Sequence, residues 1–300
     1  MCANLKNCPI CDHTEFETVY DLDDYKITQE TFSLRKCPQC TLVFTLDPPK
    51  GSDIGRYYES DDYLEHSNRK TDLFSMMYSW GRDVMFGYKY GIIKKLVEKG
   101  NILDIGAGSG HYLNFMSKKG FSVSGIEMSP RGRKFAKDNF DINLHPDEYL
   151  YSSELNEKFD LISLWHVMEH LYDLDNVVKR LDELLNPKGH LIIALPNYNA
   201  LEVKIYKKFW NGWDVPRHLW HFSPESLTNL FNRHDFEISQ MKMMPLDPFF
   251  NTLLTNKYRK GNPLMNVMRM GIVGGLSFLN GLIKVKKASS IIYIVKKKKN

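Results

Sequence analysis

With 300 residues, 43% of them hydrophobic, the chain can bury an ordinary core in one large domain and leave material for a small one. Its formal charge of +4 is too mild either to demand or to exclude an anionic partner. The first residues are polar and cysteine-bearing, with no continuous apolar stretch, which speaks against a signal peptide and makes the cytoplasm the expected location.

All five cysteines fall within the first 40 residues. Cys8-Pro-Ile-Cys11 and Cys37-Pro-Gln-Cys40 are two pairs with 25 residues between them, the spacing of two metal knuckles on facing turns; Cys2 is left over. Four thiolates suit a closed tetrahedral Zn²⁺ site, and the ion can supply the ~10–16 kcal/mol that so short a segment cannot draw from a core. Two disulfides would need an oxidising compartment, and a redox pair would need a thioredoxin-like context. The spacing predicts a small zinc ribbon over 1–50, with short strands in FETVYDL and TLVFTLDPP.

Residues 51–100 read as a linker and a helical cap. The polar, aromatic GSDIGRYYESDDY carries Tyr57, Tyr58 and Tyr63, which either fold over a ligand or cover a junction between domains. From Asn68 to Lys99, Leu73, Met76, Met77, Trp80, Val84, Ile92, Ile93, Leu96 and Val97 recur at roughly helical spacing, most simply as core.

The most informative stretch is Asn101 to Gly110, NILDIGAGSG. A short apolar run reads as a buried parallel strand, and Gly106, Gly108 and Gly110 directly after it let the chain turn tightly and approach a ligand with its backbone. The next apolar run, Phe121 to Ile126, ends in Glu127, whose carboxylate can accept hydrogen bonds from both hydroxyls of a ribose. A dinucleotide fingerprint would place the third glycine one residue later. The pattern DxGxGxG with a later acid resembles the class I S-adenosylmethionine-dependent methyltransferases. An ordinary strand-turn-helix of an unrelated α/β protein is the competing reading.

The resemblance implies that the loop Gly106, Ala107, Gly108 and Gly110 packs against the methionine part of the cofactor, that Glu127 holds its ribose, and that Met128 and Trp165 line it. It also implies that Asp104 acts near the amino group, directly or through water. Asp147 would meet the adenine amino group, with a helix N-cap as its alternative role.

Downstream, strands and helices alternate in the rhythm of a parallel sheet. Ile142–Leu144, Phe159–Leu164, His190–Leu195 and Phe236–Met244 read as the third to sixth strands, and Asp173–Leu185 as a helix. Ala288–Val295 would be the seventh strand, inserted antiparallel between the fifth and sixth as in the family. The expected fold is α/β: a Rossmann-like, seven-stranded, mostly parallel sheet with helices on both faces, plus the small N-terminal zinc ribbon. The core would occupy 101–245, an apolar helical insertion 246–287, and the last strand with a basic tail 288–300.

The fourth strand delivers Trp165-His166-Val167-Met168-Glu169-His170 to the carboxyl edge, where open α/β sheets bind ligands. HxxEH is also a zinc-protease signature, but here it straddles a strand end and a turn. Some relatives with ExxEH at this place use a divalent cation; His166 replaces the first glutamate, so a second metal is not carried over. Trp210 to Phe222, WNGWDVPRHLWHF, concentrates three tryptophans, two histidines, an arginine and an acid. The WDxPRHLxHFS string resembles a bacterial methyltransferase subgroup that often begins with a zinc ribbon. The alternative is that Arg217 pairs with Asp214 and the histidines cap a packed junction.

The chemistry expected is in-line displacement of a sulfonium methyl, with a base only where the acceptor carries a proton to lose. His170 and His218 are the first candidates for that base, with His166 and His221 as the others. No cysteine lies beyond residue 40, which excludes nucleophilic-cysteine C5 methylation, and WHVMEH stands where amine methyltransferases carry an NPPY-like string. Acids outnumber bases between Asp12 and Glu30, which disfavours nucleic acid as a partner. The sequence thus points to methyl transfer from S-adenosylmethionine to a small molecule, such as a sugar, a lipid or a natural-product intermediate. Its rivals are an RNA methyltransferase using the ribbon for contact and a cofactor-binding protein without catalysis. The uncharged run Met270–Ile283 has 14 residues, short of the ~20 that span a bilayer. With Lys284, Lys286 and Lys287 following, 263–287 reads as core or dimer contact, or as a helix lying on the inner face of a membrane or over a lipid-like substrate.

Overall fold

The computed structural model describes residues 5–51, 53–58, 73–258 and 262–298. Its main sheet grows from the apolar runs read above: β4 (Asn101–Ile105), β5 (Ser122–Ile126), β6 (Phe159–Trp165), β7 (Leu185–Pro196), β9 (Phe236–Met243) and β10 (Ser290–Lys297). The order is β5-β4-β6-β7-β10-β9, with β4 parallel to β5 and β6, β6 parallel to β7, and β10 antiparallel to both β7 and β9. Side chains of β7 show why both faces are covered. Leu191, Ile193 and Leu195 enter one core cluster while Ile192 and Ala194 enter another, as period-two alternation requires.

Helices close both faces. On the first, α4 (Leu174–Leu184) buries Leu174, Val177, Val178 and Leu181, each worth roughly 1.5–3 kcal/mol of burial, and Asp173 caps it by accepting from Asn176 N. Beside it lies α6 (Pro224–Arg233), started by Ser223 in a capping box with Ser226. The second face is covered by α1 (Leu73–Ile93) through Phe86, Ile92 and Ile93, and by α2 (His111–Lys118) through Tyr112 and Met116. α3 (Pro130–Phe140) follows β5, and α5 (Leu201–Tyr206) follows β7.

The fold class holds with six strands among the described residues instead of seven. Ile142–Leu144 forms no strand: one bridge joins Ile126 to His145, and Pro146, with no N–H to give, stops the pairing there. One further expectation changes. Trp80 and Val84, read as core, stand 69% and 44% exposed, and among the described side chains of α1 the buried ones include Met85, Phe86, Ile92 and Ile93 further along the helix. Within 246–287, read as an apolar helical insertion, lie α7 (Asp247–Tyr258) and α8 (Pro263–Ile283), which packs beside it. Cys2, Tyr63 and Asn68 lie outside the described residues, as do the side chains of Leu73, Met76 and Met77. No helix among the described residues is long and apolar enough to cross a membrane.

The N-terminal segment forms a second sheet of β1 (Glu17–Asp23), β2 (Thr31–Lys36) and β3 (Val43–Thr45). A fourth strand, β8 (Trp220–His221), joins it from the distant Trp-rich stretch, pairing antiparallel with β3. Arg217 strengthens that junction, with its Nη2 2.8 Å from both Asp24 Oδ1 and Asp214 Oδ1 and its Nη1 donating to the carbonyl of Tyr57. Lys26 Nζ reaches Asp214 at 2.8 Å.

Candidate active site

The glycine loop leaves β4 with Gly106, Gly108 and Gly110 at φ of 76°, 56° and 75°, a left-handed region closed to most side chains. At Gly106 an added Cβ would stand 2.3 Å from Val167 Cγ2, so the loop nests against the tip of β6. At Gly108 it would meet nothing within 4 Å: the backbone there borders open space, as a ligand cradle must. Glu127 is fixed at the end of β5 by two backbone donors, Gly108 N at 2.7 Å and Ser129 N at 2.8 Å. Each carboxylate oxygen keeps a second lone pair, enough for a pair of hydroxyls. Met128 beside it is 47% exposed, and Arg133 donates to the carbonyls of Glu127 and Met128. Ala107 is buried against Leu113 and Ala136. Asp147 opens a short 3₁₀ turn whose N-cap is Pro146, so Asp147 is not a helix cap.

Asp104 lies buried on β4 and accepts from Ser163 Oγ at 2.5 Å. Burial raises its pKa despite Ser163 and the nearby Lys89. Lys89 projects from α1 with its ammonium 3.8 Å from the Trp165 ring centroid, and burial lowers its pKa against the pull of Asp104 and Asp247. A lysine, a buried acid and an indole therefore line the same place beside the loop. These features fit the amino-acid end of S-adenosylmethionine, as the open space at Gly108 and the paired acceptors of Glu127 fit the rest.

The turn after β6 carries a second group. Glu169 is 1% exposed, and neither of its carboxylate oxygens receives a hydrogen bond. Burial pushes its carboxyl up, and His166, His170 and His218 outweigh that and hold it below the ordinary value. Glu169, His170 and His218 each present a ligand atom within 4.8 Å of the others, a set that could also hold a metal ion. His170 Nδ1 lies 2.9 Å from the carbonyl of Arg217 and 3.1 Å from Tyr58 Oη; His218 Nδ1 lies 2.8 Å from the carbonyl of Gly212. A carbonyl can only accept, so both rings carry the proton on Nδ1 and keep a lone pair on Nε2. Burial, with His170 beside it, lowers the pKa of His218 to about 4.

His166 stands at φ 58°, its Nε2 3.1 Å from Asp247 and its Nδ1 3.6 Å from Glu169. It bridges the cluster to the start of α7. His221 sits on β8 with its ring centroid 6.2 Å from that of His218 and its Nε2 3.4 Å from Thr45 Oγ1, and burial lowers its pKa strongly. The Trp-rich stretch is stitched to the turn by Leu219 N donating to the carbonyl of Glu169 and Trp220 Nε1 to that of Leu171. Sequence reasoning passed over Lys89, Ser163 and Asp247. Lys89 sits in an apolar helix and Asp247 at the start of a segment read only as an apolar helical insertion, so neither gave a local signal.

At the other end, Cys8, Cys11, Cys37 and Cys40 bring four sulfurs within 4.8 Å of one another. Cys8–Cys40 and Cys11–Cys37 are 3.4 and 3.5 Å apart and none is in a disulfide. Tetrahedral zinc–thiolate geometry implies edges of about 3.8 Å, so the four thiols could hold such an ion with little movement.

Residues 85–241 match the model of a methyltransferase domain. A ubiquinone biosynthesis O-methyltransferase of Azorhizobium caulinodans is 27% identical over 184 residues, 56% of this chain and 71% of that protein. An uncharacterized methyltransferase of Alkaliphilus oremlandii is 30% identical over 109 residues, 36% of this chain and 50% of its own length. Among solved structures, a SAM-dependent methyltransferase of Archaeoglobus fulgidus has a TM-score of 0.51 at 19% identity, covering 75% of this chain and 100% of that one. At that identity the likeness speaks for the fold alone.

Proposed function

This chain belongs to the S-adenosylmethionine-dependent methyltransferases, and from that premise we propose that it methylates a small molecule held beside Glu169, His170 and His218. The cofactor, when bound, supplies an activated methyl group on a sulfonium. The chain's part is to align the acceptor and manage its proton. Gly106, Ala107, Gly108 and Gly110 form the cradle, Glu127 takes the ribose hydroxyls, Met128 and Asp147 flank the adenine, and Asp104, Lys89 and Trp165 receive the amino-acid end. His170 or His218 accepts the proton of the acceptor, and Glu169 stabilises the imidazolium that results. His166 and His221 then hold the surroundings in place.

One observation carries the reading: the buried, unbonded carboxylate of Glu169 beside two imidazoles whose Nδ1 atoms are committed to backbone carbonyls. The name of the Azorhizobium relative supports an O–H acceptor on a small molecule. Residues 1–50 form, in the same reading, a unit held by structural Zn²⁺ on Cys8, Cys11, Cys37 and Cys40, and 101–245 form the catalytic core.

The test is calorimetric titration with S-adenosylmethionine, S-adenosylhomocysteine and NAD in parallel, followed by transfer of a labelled methyl group to hydroxylated small molecules. Binding of the first two and transfer that is lost in His170→Ala or His218→Ala supports the reading. Binding of NAD alone overturns it.

A further inference from the structure

α8 wears an apolar face on its outside. Leu264, Met268, Ile272, Leu276, Leu279 and Ile283 follow one another at steps of three and four residues, so they share one side of the helix within a sector of about 120°. Every one of them is exposed, from 51% at Leu276 to 79% at Ile283. The opposite side is the packed one. Gly274 lies so close to α7 that a Cβ there would stand 2.8 Å from the Phe249 ring, and buried Ser277 donates to Glu202 on α5. A helix that spends its small and polar residues inward and its large aliphatic ones outward is not covering this chain's core with that outer face. A continuous exposed stripe of this kind marks an interaction surface.

Charge says what the surface meets. Residues 248–300 contain eleven of the chain's 40 basic residues and none of its 36 acidic ones, so the rest of the chain is net negative and the positive charge is segregated here. Lys284, Lys286 and Lys287 follow the apolar stripe directly and make no ion pair among the described residues, whereas Lys296 and Lys297 pair with Glu237 and Asp182. Two copies joined through this face would bring two acid-free basic segments together, which opposes a dimer. An anionic lipid surface accepts both features: acyl chains take the stripe and headgroups take the lysines. The helix lies flat on such a surface, since no helix of the described residues can cross it.

We propose that the outer face of α8, with Lys284, Lys286 and Lys287, seats this protein on a membrane surface rich in anionic lipid. This goes beyond the methyl-transfer reading, and its test does not depend on activity. The full chain is floated with vesicles of phosphatidylglycerol and phosphatidylcholine in equal parts, and with phosphatidylcholine alone. The expected result is flotation with the anionic vesicles only, weakened by salt. The double variant I272E/L276E, which changes exposed positions, should bind about tenfold less or weaker still while keeping its affinity for S-adenosylmethionine. Three results would overturn the proposal. They are no flotation of the wild type, equal flotation of wild type and variant, or a wild-type dimer in sedimentation that the variant turns into monomer without any lipid binding.

Discussion

Glu169 Oε1 stands 4.0 Å from His218 Nε2, and the two residues are brought together across 49 positions of sequence by the pairing of Leu219 with the Glu169 carbonyl. Glu169→Gln keeps the shape and removes the charge. In the proposed role the imidazolium formed during transfer loses its counter-ion, and kcat/KM should fall roughly 10²-fold. Calorimetric affinity for S-adenosylmethionine should stay as it was; full activity in the variant would remove Glu169 from the site.

The glycine loop separates folding from binding. Gly108→Ala places a methyl group in open space at φ 56°, so it should cost about 1–2 kcal/mol of stability while reducing cofactor affinity. Gly106→Ala meets Val167 as well and should lose both. Thermal unfolding and calorimetry on the two variants read the difference, and unchanged cofactor affinity in Gly108→Ala would move the cradle elsewhere.

Arg217 is 4% exposed and bonded to Asp24 and Asp214, of which Asp24 is fully buried. Arg217→Met keeps apolar bulk but leaves buried Asp24 without a cation and Asp214 with Lys26 alone, and about 3–5 kcal/mol of stability should disappear in urea unfolding. Burial opposes ionisation of Asp214, and Lys26, Arg217 and His218 overcome it, so its carboxyl is held far below the ordinary range. A loss under about 1 kcal/mol would mean that Arg217 is not holding the junction.

Chelation should release one zinc ion per chain, and Cys37→Ser should fail to retain it. Either change should lower the melting temperature, because β3, which follows Cys40, is also the partner of β8. Metal content by mass spectrometry after purification is the direct measurement, and an undiminished zinc content in the variant would place the ion on other residues.

Stability should fall as pH drops below about 6.5, the ordinary histidine value. Burial depresses His218 and His221, so the unfolded chain takes up protons first and their contribution, full above about 6.5, declines as pH approaches the folded values. His166 has the opposite sign. Burial favours its neutral form, but Asp247 and Glu169 prevail and raise it to about 10, so its contribution is full below about 6.5 and lost as pH rises through about 10. His221→Gln should flatten the decline of the melting temperature between about pH 7 and 5. An unchanged slope would show that His221 is not part of it.

How far the sequence discloses the molecule depends on whether the signal is local. The glycine loop, the strand tips at Glu127 and Trp165, the capping serine at Ser223 and the spaced cysteines announce themselves, because turn chemistry, apolar runs and ligand spacing are written in adjacent residues. The pairing of Trp220 with Phe44 is not of that kind, nor is the reach of Asp247 to His166, since each joins segments whose proximity only the packed fold creates. The lost strand at Ile142–Leu144 shows the reverse error: an apolar run was present, and Pro146 ended its pairing after a single bridge.

β10 lies between β7 and β9 and pairs with both, so it alone joins β9 to the rest of the sheet. Were β10 to detach, β9 would lose its partner and the backbone groups of Leu191–Pro196 would become an unpaired edge, open for the strand of another chain to join.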